Sequence, residues 1–472
     1  VISNVVVVGS AISDNERIDA PSGVVRGFDV NTGELVWAFD LAPPDFNYQT
    51  GMVSEAGYAL GTPNVWAGFA VDEERDIIFL PTGNPSPDYF RDLDIDMGFY
   101  GSSVVALKGS TGDYLWHFKT VIKDFWDFDV PSIPSLIDID INGIETPALI
   151  QSTKMGFIFI LNRETGEPLI DISYEEVPTY GPLKNQLSNV QPFPPKAFRV
   201  SRDYKRGDSV FETCRNIEKK SKMGTIYTPI TEDWTLGLPS NMGAMNWGGI
   251  SVDPKGGLIG VRINNVAFRT KLISRTKLKD FLYTDVRWDP ERNLEDIFLT
   301  PHQFNKRLIS ALSNEFDIDL DSGIEYAEMK GTDYILARYI PMNPFPCAGA
   351  PFAELLVIDI KEKKHNFRRP HGLDPVVGLN TGIDLGTGYP GVGGSLITSG
   401  GLLFIGGSSD KMFRAHSVDS GEVLWEYKLP FSGNATPMSY EVLNDSGQRI
   451  QMVVIAAGGD ILIDDLHGDY LI

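Results

Sequence analysis

The stretch VVALKGSTGDYLWHF, residues 104–118, decides the fold. It reads as a short alternating strand, a turn at Thr111-Gly112, and a second strand that ends at Trp116. The same pattern is V-x-[AG]-h-D-x-x-x-G-x-x-h-W, with h apolar. It recurs in VVRGFDVNTGELVWAF (24–39) and FRAHSVDSGEVLWEY (413–427), where the closing aromatics are Trp37 and Trp425. Weaker copies are FIFILNRETGEPLI (157–170) and LLVIDIKEKKHNFRR (355–369). Short strands repeated with one glycine and one aromatic at fixed offsets predict a β-propeller. Propellers set side chains around a central channel, and several polar clusters in this chain have no packing reason.

On length alone, 472 residues suggest two or three domains, but radial repetition lets a single propeller take all of 1–472. The 47 glycines and 30 prolines suit many tight turns between short strands. A net charge of −22 excludes nucleic acid as a partner, because phosphate binding needs clustered Lys and Arg. Two local basic runs stand out: Lys219, Lys220 and Lys222, and Arg269 through Lys279. They read as solvated loops or as contacts to anionic lipid headgroups. The two cysteines, Cys214 and Cys347, fit either one disulfide or two buried thiols. No CxxC, CxxCH or Cys/His spacing is present, so neither c-type haem nor structural zinc is encoded. No run of about 18 apolar residues spans a membrane, and no signal peptide is visible. Both ends, VISNVVVVGS and GDYLI, are strand-like and are expected to be cut through structure.

Residues 1–170 and 380–472 read as strands and turns throughout. The glycine-rich run 388–410 suits inner strands, where backbones crowd the axis. Residues 171–222 are proline-rich and aperiodic, which predicts a long loop covering one face. Residues 281–330 break the pattern. Thr300-Pro301 resembles an N-cap followed by proline at the first helical position. Phe304, Leu308, Leu312 and Phe316 then recur every four residues, which predicts an inserted helix with one packed face.

Six segments, in order along the chain, carry a resemblance. They are SGVVRGFDVNTGELVWAFD, GTPNVWAGFAVDEERDIIFLPTGNPSPD, DFWDFDVPSIPSL, PALIQSTKMGFIFILNRETGEP, MNWGGISVDP and SGNATPMSYEV. Together they resemble the pyrroloquinoline quinone (PQQ)-dependent dehydrogenases, nearest the membrane-bound glucose and quinate/shikimate branch. The resemblance implies an all-β, eight-bladed propeller with PQQ and Ca²⁺ or Mg²⁺ in the central channel. Fewer than eight repeats are visible, so an N-terminal part of the ring is expected to lie outside this chain. It also implies a sugar, polyol or cyclic hydroxy acid as substrate, and ubiquinone as electron acceptor. The expected location is the periplasm, at the inner membrane, through a segment outside this chain.

Residue by residue, the chemistry follows the same segments. Asp14 and Asn15 offer a carboxylate beside an amide, oxygen donors suited to Ca²⁺ or Mg²⁺, though the pair alone reads as an Asx turn. By resemblance Asp14 is a metal ligand and Asn15 a cofactor contact. Trp66 offers an indole face for a planar quinone. Asn84, in the turn TGNP, offers a neutral hard ligand and is the implied second metal ligand. Asp124, set among Phe125, Trp126 and Phe128, is expected to have a raised pKa and by resemblance is the catalytic base. Ile122 and Lys123 stand where the branch has two histidines, and Lys123 would lower the Asp124 pKa if it pointed inward. Lys154, on an apolar strand, must snorkel or pair, and resembles the lysine that polarises the quinone oxygens. Asn246, Trp247 and Asn264 resemble channel-facing contacts to the cofactor. Departures are RGDSVFETCR (206–215), Phe352-Ala353 for Trp-Gly, and GGDILIDDLHGD (458–469) for GGHG. The rival reading is a non-enzymatic periplasmic propeller of the outer-membrane assembly type, which has no reason to hold Trp66, Asn84, Asp124 and Lys154 together. The alcohol enzymes with adjacent cysteines are a third reading, and no Cys-Cys pair occurs here.

Overall fold

The computed structural model describes all residues except 92, 142, 210, 254, 256, 283–311, 318–323, 342–345, 374–377, 382, 409 and 461–463. Among the described residues the repeat builds antiparallel sheets whose strands follow chain order. Residues Val5–Val8, Val25–Asp29 and Leu35–Phe39 form the first sheet. The second is Ala70–Asp72, Ile77–Pro81, Ser103–Lys108 and Tyr114–Lys119. Ser135–Ile141, Ile144–Ser152 and Ile158–Asn162 form the third. The fourth is Ile250–Asp253, Leu258–Asn264, Ala353–Asp359 and Lys364–Pro370, and the fifth Ser395–Thr398, Leu402–Ile405, Met412–Ser417 and Val423–Lys428.

Each sheet buries its faces against the next. Val25 and Trp37 pack with Ile78, Leu80 and Val105 between the first and second sheets. Phe79, Val104 and Trp116 meet Leu149, Phe159 and Leu161 between the second and third. Ile137 and Ile150 meet Ile259, Val261 and Ile358, and Leu355 and Phe367 meet Ile397 and Leu403, in the two interfaces that follow. This face-to-face succession is propeller packing. A central strand is therefore covered on both sides, which is why Ser103–Lys108 is apolar almost without alternation.

The repeat pattern has a direct structural cause. Its small residue lies opposite its aromatic: Gly27 pairs with Trp37, Ala106 with Trp116 and Ala415 with Trp425. The register shifts by one residue just after that small residue in each case, a β-bulge that makes room for the indole. The turn glycine receives the aromatic of the preceding sheet. A Cβ on Gly112 would lie 2.6 Å from Trp37, and one on Gly166 would lie 2.5 Å from Trp116. Both glycines also have positive φ, +73° and +75°, so side chain and backbone agree in requiring glycine.

Outside the repeat the structure is richer than the sequence suggests. The stretch 171–222, expected as a loop, contains the hairpin Ser173–Glu176 and Val190–Phe193 and the helix Glu212–Lys219. Cys214 on that helix is disulfide-bonded to Cys347, which resolves the alternative left open above. Lys222–Met223, Thr235–Gly237, Phe268–Ser274, Tyr334–Tyr339 and Glu325–Ala327 form an inserted five-stranded sheet. Most of the expected helix, with Thr300, Pro301, Phe304 and Leu308, lies outside the described residues, while Leu312 and Phe316 pack with Trp234 and Ile273. The basic run from Arg269 is not a solvated loop. Arg269 and Lys271 are buried on a strand of the inserted sheet and both lie over the Trp234 ring, at 4.0 and 5.8 Å. Among the described residues no helix is long and apolar enough to cross a membrane.

Candidate active site

The site forms on loops that leave the first three sheets. Asp14 follows Val5–Val8, Asn64 and Trp66 precede Ala70–Asp72, and Asn84 and Asp88 follow Ile77–Pro81. The segment 124–129 follows Tyr114–Lys119, and Lys154 lies in the turn after Ile144–Ser152.

Lys154 is the hub. Its Nζ donates to Asp127 Oδ1 at 2.6 Å and to Asp129 Oδ2 at 3.3 Å, and it lies 5.9 Å from the Trp66 ring centroid. Burial alone would push the Lys154 pKa down, but the Asp127 and Asp129 carboxylates outweigh it and hold the ammonium protonated. Asp129 also fixes its neighbours, accepting from Trp66 Nε1 at 2.9 Å and from the Asn84 backbone N–H at 2.9 Å. Asp127 has its second oxygen on the Tyr89 hydroxyl at 2.9 Å, and its backbone is left-handed, with φ +61°. Aspartate enters this region more readily than most residues, and such positions cluster at functional sites. Burial pushes the Asp127 carboxyl up to about 7, with Lys154 opposing and Asp129 and Asp14 adding to the rise.

Beside this hub lies a group of buried oxygens with no donor. Asn84 Oδ1, Asn64 Oδ1, Asn15 Oδ1 and both carboxylate oxygens of Asp88 have no hydrogen-bond partner. Asn64 Nδ2 donates to Asp14 Oδ2 at 3.1 Å, and the Asp88 backbone N–H donates to the Asp14 carbonyl at 3.1 Å. Burial, then the Asp129 charge, raises the Asp14 carboxyl to about 6, and burial drives Asp88 well above the carboxylate range. Buried polar atoms without partners are costly, so a cluster composed only of oxygens calls for a hard cation. Among the described residues no three His, Cys, Asp or Glu side chains converge as a metal group, so amide oxygens must complete the set.

Asp124 sits elsewhere. Its Oδ1 accepts from the Trp126 N–H at 2.8 Å, and its Oδ2 from the Phe128 N–H at 2.9 Å and Ser102 Oγ at 2.6 Å. Burial raises its pKa, as expected from its aromatic neighbours. Its oxygens nevertheless serve to shape the 124–129 loop, with no contact to Lys154 among the bonds of that ammonium. Lys123 is exposed, so it does not point inward to lower that pKa.

Asn264 is likewise committed: its amide donates to the Gly391 carbonyl at 2.8 Å and accepts from the Gly391 N–H at 3.0 Å. Asn246 is tied into its own turn, donating to the Met242 carbonyl at 2.7 Å and accepting from the Trp247 N–H. The Trp247 ring is 46% exposed and remains open to a ligand. Sequence reasoning missed Asn64, Asp88, Tyr89, Asp127 and Asp129.

Known proteins of similar sequence and shape bear on the nature of this site. The family described as PQQ: glucose/ethanol/alcohol dehydrogenase, β-propeller domain, matches residues 1–450. Quinoprotein glucose dehydrogenase of Escherichia coli is 31% identical over 99% of this chain and 56% of its own length. Quinate/shikimate dehydrogenase (quinone) of Acinetobacter baylyi is 32% identical over 99% and 55%. The glycerol dehydrogenase large subunit of Gluconobacter thailandicus is 32% identical over 97% and 60%. The chain thus spans little more than half the length of these relatives. A solved quinohemoprotein alcohol dehydrogenase of Pseudomonas putida superposes with a TM-score of 0.57 at 21% identity, covering 97% of this chain and 55% of that one. A europium-containing methanol dehydrogenase superposes at 0.56 and 20%, covering 97% and 64%. Those two likenesses speak to the fold. With the match running from residue 1 to 450, this chain belongs to the PQQ-dependent glucose/ethanol/alcohol dehydrogenase β-propeller family.

Proposed function

We propose that this chain is the catalytic propeller of a PQQ-dependent dehydrogenase acting on the alcohol group of a sugar, polyol or cyclic hydroxy acid. One observation carries the reading: a buried lysine held between Asp127 and Asp129, next to Trp66 and a set of partnerless oxygens. A structural propeller has no reason to bury such a cluster, which speaks against the scaffold alternative.

Asp14, Asn64, Asn84 and Asp88 would hold the divalent cation, with Asn15 alongside; oxygen donors of this kind serve Ca²⁺ and Mg²⁺ alike. Trp66 would carry the planar cofactor on its indole face, and Trp247 offers a second exposed ring. When bound, PQQ supplies the two-electron acceptor for the hydride of the alcohol carbon, and the protein supplies orientation and electrostatics. The role of base passes from Asp124 to Asp127. The Asp124 oxygens are spent on loop N–H groups, whereas Asp127 faces the lysine with a pKa of about 7, suited to taking a hydroxyl proton near neutrality. Lys154, kept protonated, would stabilise negative charge developing on a neighbouring oxygen. Asp129 orients both Lys154 and Trp66. In the same reading electrons would pass to ubiquinone, and the protein would work in the periplasm at the inner membrane, anchored by a segment outside this chain.

The test is titration of the apoprotein with PQQ, with and without Ca²⁺ or Mg²⁺, followed by tryptophan fluorescence. Saturable, cation-dependent quenching that Trp66→Ala weakens supports the reading. A folded protein that binds PQQ with neither cation returns the scaffold alternative.

A further inference from the structure

The inserted sheet, which no repeat explains, reaches the candidate base through one phenol. Tyr89 is completely buried, and its hydroxyl donates to Asp127 Oδ2 at 2.9 Å, while Lys154 holds Oδ1. Behind Tyr89 lies the Arg338 guanidinium, whose positive charge acts on both the phenol and Asp127. Arg338 is itself anchored, donating from Nε to Glu325 Oε2 at 3.0 Å across a directly opposed pair of strand positions. The Tyr89 ring packs on Phe268 of the same sheet, with centroids 6.4 Å apart. Leu272, Ala327 and Leu336 of that sheet join the core formed by Phe125, Trp126 and Phe128, which flank Asp127.

We infer that Tyr89 is a positioning residue for Asp127, and that Arg338 of the inserted sheet acts on the base through Tyr89. The inference rests on the reading of Asp127 as the base. A carboxylate gripped at both oxygens cannot rotate about its terminal torsion, so the direction of its remaining lone pairs is set. Lys154 alone would leave that rotation free. The inserted sheet thereby does more than cover the propeller: its arginine sets a positive charge behind the phenol that fixes the base.

The experiment uses the protein loaded with PQQ and Ca²⁺ or Mg²⁺, a dye acceptor, and whichever of glucose, quinate or glycerol it oxidises. Tyr89→Phe keeps the ring and removes only the donor. The expected result is a kcat lower by about tenfold, the order for losing one hydrogen bond to a charged group, with KM changed less than about twofold. Arg338→Met should lower kcat by a smaller factor, and Arg338→Lys, which restores the positive charge, should recover most of it. The double variant should be no worse than Tyr89→Phe alone, because residues acting in series are not additive. PQQ quenching of tryptophan fluorescence, which needs no turnover, should give the same affinity in every variant.

The inference is overturned if Tyr89→Phe turns over like wild type. It is also overturned if Arg338→Met costs as much in the Tyr89→Phe background as in wild type, or if the loss appears in KM or PQQ affinity. If Tyr89→Phe does not fold, the Arg338→Met and Arg338→Lys pair carries the test alone. An active wild type with a silent Tyr89→Phe refutes this inference and leaves the proposed function standing. A wild type that neither binds PQQ nor oxidises an alcohol refutes both.

Discussion

Replacing Lys154 with methionine tests the electrostatic account of the site without any cofactor. Methionine matches the length and flexibility of the lysine stem, so the change removes a charge with little change in volume. The side chains of Lys154, Asp127 and Asp129 are 7, 10 and 5% exposed, so solvent screens their interaction weakly. Removing one partner from such a buried group typically costs about 3–5 kcal/mol, because the remaining charges lose their counter-ion. The cost must depend on pH. The folded-state pKa of Asp127 is raised to about 7, so its protonation favours the fold. That contribution is present at low pH and is lost as pH rises through the folded pKa. Without Lys154 the folded pKa climbs further, since the main opposing charge has gone. At pH 8 the Asp127 carboxyl of the variant is ionised or must hold a proton at a cost, and the loss should be near the full range of about 3–5 kcal/mol. At pH 5 Asp127 is neutral, Asp129 keeps its Trp66 and Asn84 donors, and about half of that loss or less should remain. Urea unfolding of wild type and Lys154→Met apoprotein at the two pH values, followed by tryptophan fluorescence, gives the two differences. A loss below about 1 kcal/mol, or the same loss at pH 5 and pH 8, would refute the picture of a dry, charge-matched hub.

Three further outcomes follow from the same geometry. Asp127→Asn should abolish turnover while PQQ still quenches tryptophan fluorescence, whereas Asp124→Asn should retain kcat in the folded fraction and lose about 1–3 kcal/mol of stability in urea, through a disrupted loop. Full activity in Asp127→Asn would return the base to Asp124. Cation affinity should fall as pH drops from 8 to 5.5, since Asp14, raised to about 6, and Asp88, raised by burial, must then release protons to bind it. Calorimetry in buffers of different ionisation enthalpy should register that release, and a buffer-independent heat would contradict it. Gly112→Ala should cost clearly more than Gly33→Ala, because both have positive φ near +72° but only Gly112 faces an indole. The backbone penalty alone is about 1 kcal/mol, so equal thermal shifts in the two variants would show that the Trp37 contact carries no weight.

Much of the fold was legible in the sequence because the repeat encodes two contacts at once. The small residue opposite the aromatic and the glycine beneath the previous aromatic are each a steric requirement, and both survive as letters at fixed offsets. The inserted sheet was not legible for the converse reason. Its strands come from 222–237, 268–274 and 325–339, so pairings such as Thr235 with Thr270 join stretches far apart in the chain. Arg269 and Lys271 also occupy buried positions over Trp234, which inverts the usual sign of the hydrophobic pattern.

The same distinction explains the base. DFWDFD offers three carboxylates, and composition ranks them equally. What separates them is local hydrogen bonding. Asp124 turns back on the N–H groups of Trp126 and Phe128, a local bond that costs it the channel. The loop so formed then presents Asp127 and Asp129 on one side, toward a lysine that arrives from the next sheet. On the proposed reading Asp124 is an architectural residue of the site, which marks the loop, and Asp127 is the proton acceptor. The left-handed backbone at Asp127 fits this account. Strain is tolerated there because Lys154, Tyr89 and the surrounding aromatic core over-determine the position of that one carboxylate.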